Sequence, residues 1–470
     1  MIYDLLIIGG GINGAGVARD AAGRGLKVVL LEQDDLAAGT SSASTKLLHG
    51  GLRYLENYEF RMVASALRER DIILRIASHL SRHLRFVLPD KLNVRPRWLL
   101  RAGLMLYDVL GFGSILPRSG HNATGLYYSD GWVDDARLVV LNALDAQSRG
   151  SVIRTREGAV QITPHSDKTW CVTSTTSQTY RARCVINAAG PWARQILDQS
   201  DLCQSDTPDL RLVRGSHLIL PRLYEGEDAL LLQQQDGRIV FTIPYEQDFT
   251  LIGTTEAPHH VMDNVSITVA ERDYLLEAVG QAFGQEIDPS SIVADYAGVR
   301  PLLDDGKAEA RRVTRDYRLL LQHFDSAPLI SVLGGKLTSY RLVAEKTVDL
   351  AMTELDRTAP HWTAEAALPG SEKPFPPTAM PAFLPGMVKA RYARLYGTRA
   401  PMIYGAATNL ADMGPHIAAG LYGREVDYLM RYEWAITPDD ILKRRTKLYL
   451  RFSATEVAAL ATYMTKASHG

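Results

Sequence analysis

The 470-residue chain holds only three cysteines, Cys171, Cys184 and Cys203. None stands in a CxxC pair, which excludes a disulfide framework and a sulfur-rich metal site and fits a reducing, cytoplasmic setting. Charge of one sign is also lacking. Lys+Arg number 52 against 53 Asp+Glu, a net charge of −1, so no chain-wide basic bias points to nucleic acid, and attraction to an anionic partner must be local. Long apolar runs are missing too: residues 98–112 form the longest, but Arg101 and Asp108 interrupt it and it falls short of the roughly 20 residues that a spanning helix needs. The chain opens on the apolar segment 3–8 with no basic leader or cleavage site, so secretion is not expected. His259 and His260 have no carboxylates clustered with them, which argues for solvated loop histidines and against a metal.

What remains is a chain with 46% hydrophobic residues, long enough for two or three domains. Residues 3–32 read as strand, glycine turn, helix and second strand, the opening of a doubly wound α/β domain. Strand-like runs return between about 150 and 330, among them 238–243 and 249–253, which predicts a β-rich substrate domain interleaved with the nucleotide-binding one. Pro369, Pro374, Pro376, Pro377, Pro381 and Pro385 cannot continue a helix or a central strand, so 361–386 reads as a linker. Beyond it, Ala, Leu, Tyr, Met and Arg dominate and Thr437-Pro438-Asp439-Asp440 signals a helix start, predicting a small all-α domain over 387–470.

Gly9, Gly11 and Gly14 form a G-x-G-x-x-G directly after the first strand. Missing side chains there let the backbone approach a pyrophosphate and aim a helix N-terminus at it. The next strand ends on Glu32, where a carboxylate can bond a ribose hydroxyl pair. FAD and NAD share this fingerprint. No second fingerprint for a nicotinamide cofactor is present and no Arg follows Glu32 to accept a 2′-phosphate, while the hydroxyl-rich loop 40–46, leading into His49-Gly50-Gly51, suits a permanently held cofactor.

Three stretches together resemble the FAD-dependent (aerobic, respiratory) glycerol-3-phosphate dehydrogenase family of the D-amino-acid-oxidase-like flavoproteins: 8–20 (IGGGINGAGVARD) with Arg24-Gly25, 41–54 (SSASTKLLHGGLRY), and 334–341 (GGKLTSYR) with Ala344. Segments 129–137, 187–192, 253–255 and 298–301 are similar to it as well, and the likeness extends to Glu433-Trp434-Ala435 and 444–447. The chain departs from the pattern near 117–127, where many bacterial members are longer, and in the proline-rich segment.

The resemblance implies a Rossmann-type FAD-binding domain (about 1–75, 130–205 and 295–360) interleaved with an α+β substrate domain (about 76–129 and 206–294). It implies FAD held by Gly9, Gly11, Asn13, Gly14, Glu32, Thr40, Ser41, Ser44, Lys46, Leu47, His49, Gly190, Gly335, Leu337 and Thr338. It implies His49 and Arg300 as catalytic residues, and Arg53, Tyr54, Arg315 and Lys336 as the pocket for glycerol 3-phosphate. Gathering that many cations is costly without an anion among them. A membrane quinone as electron acceptor and peripheral attachment to an anionic lipid surface, at the inner face of the cytoplasmic membrane, also follow from the resemblance; a homodimer is compatible with it.

Each residue also has a plainer reading. From the sequence alone His49 is a satisfied structural histidine and Arg300 or Lys336 a surface charge; 187–191, which reads as a strand end whose small residues let the chain pass beside a cofactor, is on the plainer reading a turn. Residues 95–112 form an amphipathic helix, buried in a core or lying on a membrane. The basic run 443–447 reads as a solvated helix face before a lipid or nucleic-acid patch. Two other functions stay open: an oxidase using oxygen, though such relatives tend to carry an extra internal segment, and a membrane adaptor in which FAD is structural.

Overall fold

A computed structural model describes residues 1–90, 94–205, 207–260, 262, 265–303 and 317–468. The expected opening unit is present: β1 (Ile2–Ile8), α1 (Ile12–Gly23) and β2 (Val28–Leu31). Among the described residues β1 lies inside an eight-stranded sheet, with β2 parallel on one side and Thr179–Asn187 parallel on the other; Ala327–Gly334, Tyr317–Phe324 and Val152–Arg154 extend it. Leu5 and Ile7 enter the core beneath α1 and the helices Asp135–Ser148 and Tyr340–Glu354, whereas Leu6 and Ile8 enter a second core with Trp170, Val172 and Leu197. Burial on both faces is why residues 5–8 of β1 read as an unbroken apolar run.

The second sheet is ten-stranded among the described residues and carries Ile239–Tyr245 and Phe249–Gly253, close to the expected strands. One face packs on α2 (Phe60–Ile76) and α3 (Arg97–Leu110) through Val63, Leu67, Leu100, Leu104 and Tyr107; the other packs on the helix Val269–Phe283. Two strands expected in the nucleotide-binding part pair here instead: Leu47–Leu48 joins Gly125–Val133, and Ala294–Leu303 runs antiparallel along Leu210–Pro221. In both, the partner strand and not the segment's own composition assigns it to a sheet.

The proline-rich segment is irregular, as proline demands, but it is no loose tether. Leu368 is fully buried in the first core and Met380 and Leu384 in the C-terminal one. The Leu368 amide donates to the Ile76 carbonyl (2.7 Å), and Trp362 covers Gly23 while donating to the Asp20 carbonyl (3.1 Å). The C-terminal part is helical apart from a small hairpin, His416–Ala418 with Leu421–Tyr422.

The basic run corrects the sequence reading: it is neither a solvated face nor a patch. Arg445 is 0% exposed, bonds Asp35 with both terminal nitrogens and donates to the Glu433 carbonyl (2.5 Å). Arg444 reaches the same carboxylate (2.5 Å) and Lys447 reaches Asp134 (2.9 Å); only Lys443 stays exposed, on Asp439. The acidic partners lie some 300 to 400 positions earlier in the chain, so only folding brings them together.

Candidate active site

Strands β1, Thr179–Asn187 and Ala327–Gly334 are parallel, and their carboxyl ends all empty into one cleft of about 920 Å³, where ligands of open α/β sheets bind. Gly9, Ala188 and Gly335 line it just past those ends, and Thr254, Tyr296, Gly298 and Arg300 close it from the second sheet.

The turn after β1 shows whether a dinucleotide fits. Gly9 has φ +104°, and a Cβ there would lie 2.6 Å from the Ala188 carbonyl oxygen. A Cβ on Gly14 would come within 1.9 Å of the Gly9 carbonyl, so Gly14 serves close packing and, alone among the expected cofactor residues, does not line the cleft. Helix α1 starts with no side-chain cap on Gly11, leaving its first amides facing the cleft save that of Ile12, which donates to the Ser41 hydroxyl (3.0 Å). The Asn13 side chain reaches the Gly334 carbonyl (3.4 Å) while its Oδ1, though buried, has no hydrogen-bond partner among the described residues. An uncapped helix start and a turn without side chains together fit a pyrophosphate. Glu32 accepts from the Gly10 (2.6 Å) and Asp34 (2.8 Å) amides; burial lifts its pKa, although both amides pull the other way.

The hydroxyl-rich loop is held from behind. Thr40 donates to the Val299 carbonyl (2.6 Å), the Ser44 hydroxyl to Asp135 (2.7 Å), and the Lys46 ammonium to the other oxygen of Asp135 (2.8 Å). Burial alone would lower Lys46, yet Asp135 and Asp134 beside it keep it above the usual lysine range, so it stays charged. Thr45 bonds His217 Nε2 (2.8 Å), whose ring stacks on Tyr296 at 4.7 Å; burial, with Arg300 and Lys46 nearby, holds His217 well below its usual pKa and therefore neutral. No sequence pattern had marked His217.

At the far end the cleft is cationic. Arg53 sits 3.8 Å from Glu256, the Lys336 ammonium lies 3.9 Å from the Tyr54 ring centroid, and Arg300 donates to Thr254 (3.1 Å). Gly215 leaves room for Arg300, since a Cβ there would stand 2.6 Å from its Nη2. The His49 amide donates to Thr338 (3.1 Å). His49, Arg53, Tyr54, Arg300 and Lys336 thus line one cleft with Gly9, Gly11, Asn13, Glu32, Thr40, Ser41, Ser44, Lys46, Leu47, Gly190, Gly335, Leu337 and Thr338. Arg315 lies outside the described residues. Residues that sequence reasoning had passed over, Glu256 and Tyr296, line it too; Trp192 and the segments around Thr254 and Gly298 had stood out only as family likeness. Among the described residues no three His, Cys, Asp or Glu side chains are grouped to hold a metal. His260 is exposed and His259 half-buried.

Comparison with known proteins agrees with this geometry. Residues 4–341 match the family model DAO, FAD dependent oxidoreductase. The chain is 45% identical to a glycerol-3-phosphate dehydrogenase of Pseudomonas tolaasii, covering 99% of this chain and 95% of the relative, and 42% identical to a D-erythritol 1-phosphate dehydrogenase of Brucella abortus, covering 99% and 98%. Among solved structures, the glycerol-3-phosphate dehydrogenase of Bacillus halodurans in complex with FAD superposes with a TM-score of 0.75 at 28% identity, over 99% of this chain and 90% of that one. The chain therefore belongs to the FAD dependent oxidoreductase family, in the branch that holds the glycerol-3-phosphate dehydrogenases, and its cofactor is FAD.

Proposed function

We propose that this enzyme oxidises sn-glycerol 3-phosphate to dihydroxyacetone phosphate and delivers the electrons to a membrane quinone. The observation that carries the reading is the shared cleft: the cations Arg53, Arg300 and Lys336 and the imidazole of His49 line the same cavity as the dinucleotide turn. FAD, when bound, supplies the two-electron acceptor for the hydride leaving C2 and the link to the quinone. Gly9, Gly11 and Asn13 hold its pyrophosphate and Glu32 its ribose, with 40–47, Gly190, Gly335, Leu337 and Thr338 along its length. His49 takes the C2 hydroxyl proton, a task suited to an imidazole, which has one ring nitrogen free to accept when neutral. Arg300, steadied by Thr254, orients the C2 oxygen. Arg53 and Lys336, with Arg315, hold the phosphate, and Tyr54 fixes Lys336 by its ring.

The quinone comes from a lipid surface on which α3 lies. Its buried side is Leu100, Leu104 and Tyr107, while Trp98, Leu99, Met105, Leu106 and Val109, followed by Phe112 and Ile115, are exposed next to Arg101 and Arg118. Such an apolar row edged with arginine suits interfacial docking on anionic lipid, at the inner face of the cytoplasmic membrane. Among the described residues no helix is long and apolar enough to cross a membrane.

A second substrate has specific support, since the Brucella abortus relative acts on D-erythritol 1-phosphate and is 42% identical over 99% of the chain. Anaerobic bleaching of the bound flavin decides between them. Rapid bleaching by glycerol 3-phosphate, slow bleaching by D-erythritol 1-phosphate and none by glycerol is expected; the reverse order of the two phosphates overturns the assignment. Stoichiometric peroxide during aerobic turnover would replace the quinone with oxygen as acceptor.

A further inference from the structure

The loop 49–51 is held from behind by a group that has no part in the reaction described above. The Tyr107 hydroxyl, on the buried side of α3, accepts the Gly50 amide (2.8 Å) and donates to Asp130, whose two oxygens each lie 2.9 Å away. Asp130 in turn is clamped by Arg70 of α2 (2.8 Å), and Arg70 also reaches Ser114 (2.6 Å) and the Ser129 carbonyl (3.2 Å). All three side chains are buried, at 3% exposure for Tyr107 and Arg70 and 1% for Asp130. Burial pushes the Tyr107 phenol well above its ordinary pKa, so it remains a donor; burial also lifts Asp130, to about 6 against the pull of Arg70, which leaves it charged at neutral pH. Packing closes the arrangement, because a Cβ on Gly50 would fall 2.7 Å from Leu67 and 2.9 Å from the Tyr107 oxygen. The Gly50 amide is thus both bonded and wedged, one residue from His49.

We infer that Tyr107, backed by Asp130 and Arg70, is a positioning residue that sets His49 against the flavin and substrate through the Gly50 amide. The inference rests on the proposed role of His49. A buried amide that loses its partner is destabilised enough to shift a local equilibrium about ten- to a hundred-fold, and the loop would relax away from its working place.

The test is anaerobic single-turnover flavin reduction by glycerol 3-phosphate in the FAD-loaded wild type, Tyr107→Phe, His49→Ala and the double variant, with flavin content, thermal midpoint and substrate affinity measured alongside. Tyr107→Phe should lower the limiting reduction rate about ten- to a hundred-fold while flavin content and substrate affinity hold. In the His49→Ala background the same change should alter the rate by less than about two-fold, because two residues acting through one contact are not additive. Gly50→Ala, whose Cβ would crowd Leu67 and the Tyr107 oxygen and so displace the same amide, should reproduce the Tyr107→Phe rate. A near-wild-type rate in Tyr107→Phe, or an equal fold loss with and without His49, overturns the inference alone. His49→Ala with wild-type activity, or no bleaching by either polyol phosphate in the wild type, overturns the proposed chemistry and the inference with it.

Discussion

Arg445→Met asks whether the basic run near the C-terminus is structure or surface. Were it a solvated face, the lost pair would change stability by at most about 1 kcal/mol. The guanidinium is instead 0% exposed, holds Asp35 with both terminal nitrogens and satisfies the Glu433 carbonyl, and Asp35 is itself 1% exposed. Removing one member of a buried pair typically costs about 3–5 kcal/mol, chiefly because the remaining charge is stranded. Arg444 still reaches Asp35, so the loss belongs at the lower end, about 3 kcal/mol. Lys443→Met, at an exposed pair, should stay within about 0.5 kcal/mol. Urea denaturation of both variants, followed by circular dichroism and flavin fluorescence, gives the comparison. Repeating it at roughly 1 M salt, where exposed pairs are screened, should leave the Arg445 effect in place. An Arg445→Met protein within about 1 kcal/mol of wild type, or one whose deficit vanishes in salt, would refute the reasoning.

Three further outcomes are expected. His79 is half-buried, with Nδ1 on the Ser371 hydroxyl (2.6 Å) and Nε2 enclosed, and loss of solvent lowers its pKa to about 3 from 6.5, so the unfolded chain binds the extra proton; stability is full above about pH 6.5 and falls on acidification, by about 2 kcal/mol at about pH 5. His79→Gln should flatten that part of the thermal-midpoint profile, and an unchanged slope would exclude His79 as its source. Gly14→Ala, with its Cβ forced to within 1.9 Å of the Gly9 carbonyl, should purify without its yellow colour, with FAD affinity at least about ten-fold weaker; a fully loaded variant would contradict the close-packing argument. Replacing the exposed Trp98 and Phe112 by Glu should abolish sedimentation with anionic vesicles while leaving flavin bleaching by substrate intact. Undiminished vesicle binding would move the docking surface elsewhere.

The nucleotide half of the site was legible because its chemistry is local. The glycine turn, the uncapped start of α1 and Glu32 all fall within one βαβ unit, where chain connectivity alone puts the backbone amides and the carboxylate on the same side of the sheet. The amphipathic character of 95–112 could be read from spacing, but spacing does not say which apolar side meets a core: Leu100, Leu104 and Tyr107 are buried and the Trp98, Met105 and Val109 row is not, which only the second sheet and α2 decide. His217 gave no signal because its role comes from a ring stacked on it from the paired strand and a hydroxyl from the loop 40–46, both far away in sequence.

By itself the sequence determined the opening fold and the kind of nucleotide site, from patterns within about fifty residues of chain, and the family, through likeness over nearly its whole length. The tertiary structure decided what long-range pairing alone can: that Leu47–Leu48 and Ala294–Leu303 belong to the second sheet, that 361–386 is packed rather than free, and that Arg444, Arg445 and Lys447 face Asp35 and Asp134 instead of water. A charge written in a sequence carries no record of its partner. Burial makes that partner obligatory, and burial is a property of the folded chain.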